Sequence, residues 1–179
     1  MSTLKRILQS DDFVCSGVRG LRARELDQFF TSPAVAALCV SHFQTSLSQR
    51  LATSLVEFDV VLEPSFGEGS FVDAILSQSV PRTNLLFIDI DARDEAHRGD
   101  FLAFNVPENA THCKTRVIPG IKQHWAVVGN PPFGKNSSLA ISFFNHAAKF
   151  ADVIAFVVPR TFCKMSVHDK LDRALFLMD

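Results

Sequence analysis

Short apolar runs alternate along the chain with longer stretches whose apolar residues recur every three or four positions. The first such stretch follows Thr31-Ser32-Pro33. Ser32 or Thr31 can cap a helix there, and Pro33 suits its first position. The next residues, AVAALCVSHFQTSL, keep helical spacing. Residues 59–62 (DVVL) then predict a strand, 71–77 (FVDAILS) a helix and 84–90 (NLLFIDI) a second strand. Residues 125–128 (WAVV) predict another strand, 137–150 a helix, 153–158 (VIAFVV) a strand closed by Pro159, and 164–175 a last helix. From about residue 94 to 120 the pattern is that of loop, with one candidate strand at 115–118 (TRVI). Uniformly apolar strands separated by helices predict an α/β fold: a parallel sheet with helices on both faces.

Composition narrows this. A length of 179 residues fits one core, and 47% hydrophobic with 21% charged residues is the balance of an ordinary globular domain. The net charge of −1 excludes binding of a polyanion by bulk electrostatics. Any contact with nucleic acid must come from a local patch. Residues 1–26 read as an arm in which Lys5, Arg6, Arg19, Arg22 and Arg24 outnumber Asp11, Asp12 and Glu25, a solvated segment by preference. Cys15, Cys39, Cys113 and Cys163 form no C-x-x-C pair, which predicts free thiols in a reducing compartment. His112, Cys113 and His124 have no second close pair, so no metal is expected. The N-terminus has no signal-peptide pattern and no run reaches ~18 apolar residues, so an intracellular, non-membrane protein is expected.

Candidate chemistry gathers where the strands end, because ligands of parallel sheets bind beyond the carboxyl edge. Glu63-Pro64-Ser65-Phe66-Gly67-Glu68-Gly69-Ser70 is a glycine turn between strand and helix. Its glycines permit positive φ and close approach of a ligand, and no G-K-[ST] follows, so it is not a phosphate-binding loop. Asp89 lies 20 residues past Gly69, the spacing of an acid that accepts from ribose hydroxyls; Ile90 and the less secure Asp91 accompany it. Asp100 and Phe101 are candidates to hold and stack a cofactor's adenine, a reading that depends on the other motifs. Asn130-Pro131-Pro132-Phe133 is the most informative tetrapeptide. Two prolines stiffen the loop. The Asn130 amide oxygen and the Pro131 carbonyl can accept both hydrogens of a planar amine, and Phe133 offers it a flat face. Two acceptors draw a delocalised nitrogen toward tetrahedral geometry and stabilise the charge that develops on alkylation.

In this order the motifs resemble the class I S-adenosylmethionine-dependent methyltransferases that act on adenine amino groups. Asn130 to Phe133 matches their catalytic N-P-P-[FYW], and the segment from Leu62 to Gly69 is similar to their methionine-binding motif. Phe30-Thr31-Ser32-Pro33 looks like their F-T-P segment, with Ser32 standing before Pro33 where the family has paired prolines. The resemblance covers about residues 28–159. It implies a Rossmann-like methyltransferase sheet over 27–179 and S-adenosylmethionine as cofactor. Phe30, Thr31, Glu63, Pro64, Ser65, Phe66, Gly67, Gly69, Asp89, Ile90, Asp100, Phe101 and Asn130 would touch that cofactor. It also implies a DNA or RNA acceptor methylated at adenine N6. The family's sheet adds two antiparallel strands after the fifth parallel one; this chain stops at residues 175–179, where the sixth would begin, so a C-terminally incomplete sheet is expected. The same acceptor pair would serve a protein glutamine amide, and a non-catalytic binding module is the alternative from another class.

Overall fold

The computed structural model describes residues 30–106 and 123–171. The arm, the candidate strand at 115–118, His112, Cys113 and the end of the last expected helix lie outside the described residues.

Helix α1 (Pro33–Leu51) starts as its sequence dictates. Ser32 is the N-cap, its hydroxyl accepting from the Val35 N–H at 3.4 Å, and Pro33 opens the first turn. That choice of cap leaves Thr31 for another task. Strands β1 (Val60–Glu63), β2 (Leu85–Phe87), β3 (Trp125–Gly129) and β4 (Val153–Phe156) form one all-parallel sheet in the order β2-β1-β3-β4. Helix α2 (Ser70–Leu76) links β1 to β2, and α3 (Ser138–Ala147) links β3 to β4. A single turn, α4 (Met165–His168), follows β4. The architecture is α/β and consistent with a Rossmann-like fold.

Residues of one strand point alternately to the two faces, so the apolar runs split between two cores. Val61, Ala126 and Val128 pack with Ala36, Val40, Phe71 and Ile75 under α1 and α2. Val60, Leu62, Trp125 and Val127 pack with Phe101, Phe143 and Ala147 under α3. Strands buried on both faces need no polar alternation, which is why β1 and β3 read as uniform apolar runs.

Four expected elements are shorter than their patterns: among them, the strand expected over 153–158 spans Val153–Phe156, and the helix expected over 164–175 spans Met165–His168 within the described residues. The second strand ends at Phe87, not residue 90. The Ile88 N–H still reaches the Glu63 carbonyl at 2.9 Å, but the next N–H to reach the Ile88 carbonyl is that of Phe66 at 3.3 Å, one residue out of register, because β1 has by then turned into the glycine loop. Asp89 makes an isolated bridge to Arg98 instead, and Ile90 is 59% exposed. The helix expected over 137–150 spans only Ser138–Ala147, because Ser137 is left-handed (φ 63°) and Ala148 caps the far end.

Phe101 is 1% exposed, its ring centroid 5.0 Å from those of Phe143 and His146. Truncation at such a site loses transfer free energy and leaves a cavity. Phe101→Ala should cost about 3–5 kcal/mol in urea denaturation. An unchanged midpoint would show that the ring does not belong to the core.

Candidate functional site

The chain leaves β1 toward β2 on one side and adds β3 on the other, so the adjacent carboxyl ends of β1 and β3 open a crevice. A pocket lies there, with ≈ 310 Å³ of empty space including its open mouth. Glu63 and Asn130 line it from the strand ends, and Ser65, Phe66, Gly67 and Glu68 from the glycine turn. Ser70 and Phe71 line it from the start of α2, Phe30 and Thr31 from the lead-in to α1. Three segments far apart in sequence, at 30–31, 63–71 and 130, thus meet in one concavity.

The glycine turn is built by its backbone. Gly67 (φ 53°) and Gly69 (φ 88°) are both left-handed, and the Gly69 N–H closes on the Phe66 carbonyl at 2.7 Å. Asp89 braces the turn from below. Its Oδ2 accepts from the Gly67 N–H at 2.9 Å and its Oδ1 from the Asp91 N–H at 2.8 Å. Asp89 is 9% exposed and is not among the residues lining the pocket.

Glu63 is 1% exposed, and its Oε2 has no hydrogen-bond partner among the described residues. Burial pushes its carboxyl well above the ordinary carboxylate range, and the neighbouring Asp89 charge pushes it further; a bond from the Val72 N–H opposes both. Gly129 eases this burial. A Cβ there would sit 3.3 Å from Glu63 Cγ, Glu63 Oε1 and Pro64 Cδ, so a side chain at 129 would require these neighbours to shift by a few tenths of an ångström. Sequence reasoning passed over Gly129; its signal was its place directly before Asn130 at a strand end.

Asn130 is held at both ends. Its Nδ2 donates to Thr31 Oγ1 at 2.9 Å, and its backbone carbonyl accepts from the Ser65 hydroxyl at 3.1 Å. The amide is therefore oriented with its nitrogen on Thr31 and its oxygen on the opposite side. Pro131 is fully buried. The half-buried Phe133 packs in a cluster with Ala140, Phe162 and Val167, and its carbonyl accepts from the Leu139 and Ala140 N–H groups. Between them the loop is strained. Gly134 (φ 69°, ψ 172°) occupies a region nearly exclusive to glycine, and Asn136 and Ser137 are left-handed. The Ser137 hydroxyl, in a residue 4% exposed, pairs with that of Thr161.

Of the expected cofactor contacts, the pocket gathers Phe30, Thr31, Glu63, Ser65, Phe66, Gly67 and Asn130 and adds Glu68, Ser70 and Phe71. It does not gather Asp100 or Phe101. Asp100 is exposed and caps the turn Phe101–Ala103 by accepting from the Leu102 N–H at 2.9 Å, which drops Phe101 into the core under α3. The sequence placed these two correctly in a loop but could not show which side of the sheet the next ring would enter. Pro64, Gly69, Asp89, Ile90, Pro131, Pro132 and Phe133 are likewise not among the residues lining the pocket. Among the described residues, no group of three or more His, Cys, Asp or Glu is arranged to hold a metal, and no helix is long and apolar enough to cross a membrane. No family model matches the chain, and neither a curated protein nor a solved structure matches it.

The raised Glu63 pKa makes a prediction about stability. The unfolded chain releases this proton near 4.5 and the folded chain only at higher pH. Between the two values the native state holds more protons, so Glu63's contribution is full below 4.5 and is lost as pH rises toward the folded value. Glu63→Gln should therefore gain stability relative to wild type with rising pH above 4.5, measured as the difference in thermal midpoints. A difference that is flat with pH would mean that the buried carboxyl is not perturbed.

Proposed function

We propose that this chain is an S-adenosylmethionine-dependent methyltransferase acting on the N6 amino group of adenine in nucleic acid. One observation carries the reading: Asn130, braced by Thr31 and Ser65, lines the same pocket as the buried Glu63 carboxyl and the glycine turn. Stiff amide acceptor and ligand cradle share one wall.

The cradle fits the cofactor in charge. Glu63 lines the pocket, and its buried Oε2 has no hydrogen-bond partner among the described residues; a ligand carrying a positive group would satisfy it and draw the carboxyl back toward its ionised form. S-adenosylmethionine supplies an ammonium and, on its sulfonium, a methyl group that is already electrophilic. The residues of the chain then have three tasks. Gly67 and Gly69 let the backbone approach the ligand, and Asp89 fixes that turn from beneath, a positioning role in place of the direct ribose contact expected of it. Asn130 accepts one hydrogen of the adenine amino group, with the Pro131 carbonyl as second acceptor. The amino lone pair is thereby localised toward the methyl donor, and the charge that appears during transfer is stabilised by dipoles already in place. No strong base is required before methyl transfer; the extra proton leaves afterwards. Phe133 is the flat side chain available beside Asn130, and in a duplex the base would have to be flipped out to reach it. Asp100 and Phe101 have no part in this reading.

Asn130→Ala should lower methyl transfer to an adenine-containing oligonucleotide by at least ~100-fold, the scale of losing a preorganised charge-stabilising group. S-adenosylmethionine affinity by calorimetry should change little. Equal loss of both would make Asn130 a structural residue. Transfer by wild type to a glutamine-containing peptide but to no oligonucleotide would assign a protein acceptor. A folded wild type that binds no cofactor would leave the binding-module reading.

A further inference from the structure

The carboxyl edge of the sheet is divided by charge. Beyond β2 stand Asp89, Asp91, Asp94, Glu95 and Asp100, with Arg93 and Arg98 too few to balance them. Beyond β3 and β4 the sign reverses. Among the described residues from 131 to 171 the acids are Asp169 and Asp152, the latter at the opposite end of the sheet with its carboxylate accepting from the N–H of Trp125 at the start of β3, against the cations Lys135, Lys149, Arg160, Lys164 and Lys170. Lys135 follows Phe133 by two residues, and Arg160 and Lys164 follow β4; all three are exposed, and none is in an ion pair among the described residues.

Packing brings these cations onto one unit. The turn Lys135–Ser137 abuts the turn Arg160–Cys163. The Ser137–Thr161 hydroxyl pair joins them, with Lys135 two residues from one partner and Arg160 adjacent to the other. Phe162 anchors the second turn in the cluster that holds Phe133 and Val158, and the Lys164 N–H donates to the Thr161 carbonyl at 3.0 Å. The strained backbone at Gly134, Asn136 and Ser137 fixes this arrangement, so the cations ride on a preorganised rim beside Asn130.

Resting on the methyltransferase reading, we infer that Lys135, Arg160 and Lys164 form a phosphodiester-binding rim that seats the acceptor strand beside Asn130. A chain of net charge −1 gains nothing from bulk attraction, so a polyanion must find a local cationic surface, and this one adjoins the site where the amine must be presented. Cations on the acceptor side and acids on the other also set the direction of approach.

The test is fluorescence anisotropy with a labelled single-stranded oligodeoxyadenylate across a salt series, comparing wild type with Lys135→Gln/Arg160→Gln/Lys164→Gln. Removing three phosphate contacts should flatten the log K against log salt slope by about 2, and weaken binding at low salt about tenfold or more. Arg160→Gln alone should flatten it by about 0.7. Lys149→Gln, an exposed cation on another part of the surface, should change neither. Identical slopes for wild type and triple variant overturn the rim, as does a wild type that binds no oligonucleotide at low salt. Equal binding of polyglutamate, lost equally in the triple variant, overturns it in favour of an acidic protein. Cofactor calorimetry keeps the two readings apart: oligonucleotide binding through these cations without S-adenosylmethionine binding keeps the rim and removes the methyltransferase.

Discussion

The parallel pairing of β1 with β3 is the constraint on which the site rests. It sets Val60 beside Trp125 and Leu62 beside Val127, and so brings Glu63 against Gly129 and Ser65 within hydrogen-bond reach of the Asn130 carbonyl, 65 residues away. Neither the glycine turn nor the Asn-Pro-Pro loop is a site by itself. Each becomes half of one because β1 and β3 pair in the register that sets Val61 beside Ala126. The close approach at the end of this pair is eased by the glycine at 129, since a Cβ there would press on Glu63 and Pro64 at 3.3 Å.

The same approach creates the least comfortable group in the structure. A carboxyl that is 1% exposed, next to a second carboxylate and with one oxygen unpartnered, costs stability once it ionises. A core built for stability alone would put an apolar residue at that strand end. Asp89 has the opposite character: two backbone N–H groups satisfy it, and it spends its charge on the shape of the turn. Two acids at one edge thus have different roles because their partners differ.

Strain and charge follow the same division. The regular backbone of β3 passes into four residues, from Gly134 to Ser137, three of which have positive φ, and this unit carries Lys135 to the Arg160 turn. Rigid geometry next to a candidate site holds groups in place before a ligand arrives, at a conformational cost of order 1–3 kcal/mol per residue. The acidic residues beyond β2 and the cationic ones beyond β4 lie on either side of Asn130, so the charge pattern has a direction although the chain is nearly neutral.

Much of this was legible in the residues themselves. Local pattern settles local questions: Ser32 and Pro33 start α1, apolar runs mark β1, β3 and β4, and glycines mark the turn after β1, because capping, burial and φ preferences act within a few residues. Strand ends could not be read to the residue, since the second strand stops where its neighbour leaves the ladder for the glycine turn. Tertiary structure alone decided which side chains face the pocket. It turned Asp89 under the glycine loop, sent Phe101 into the core while Asp100 capped its turn, tied Asn130 to Thr31 across 99 residues, and drew Phe133 against Phe162. Those outcomes are set by contacts between distant segments, whose geometry exists only after the sheet has paired, so spacing along the chain carries no record of them.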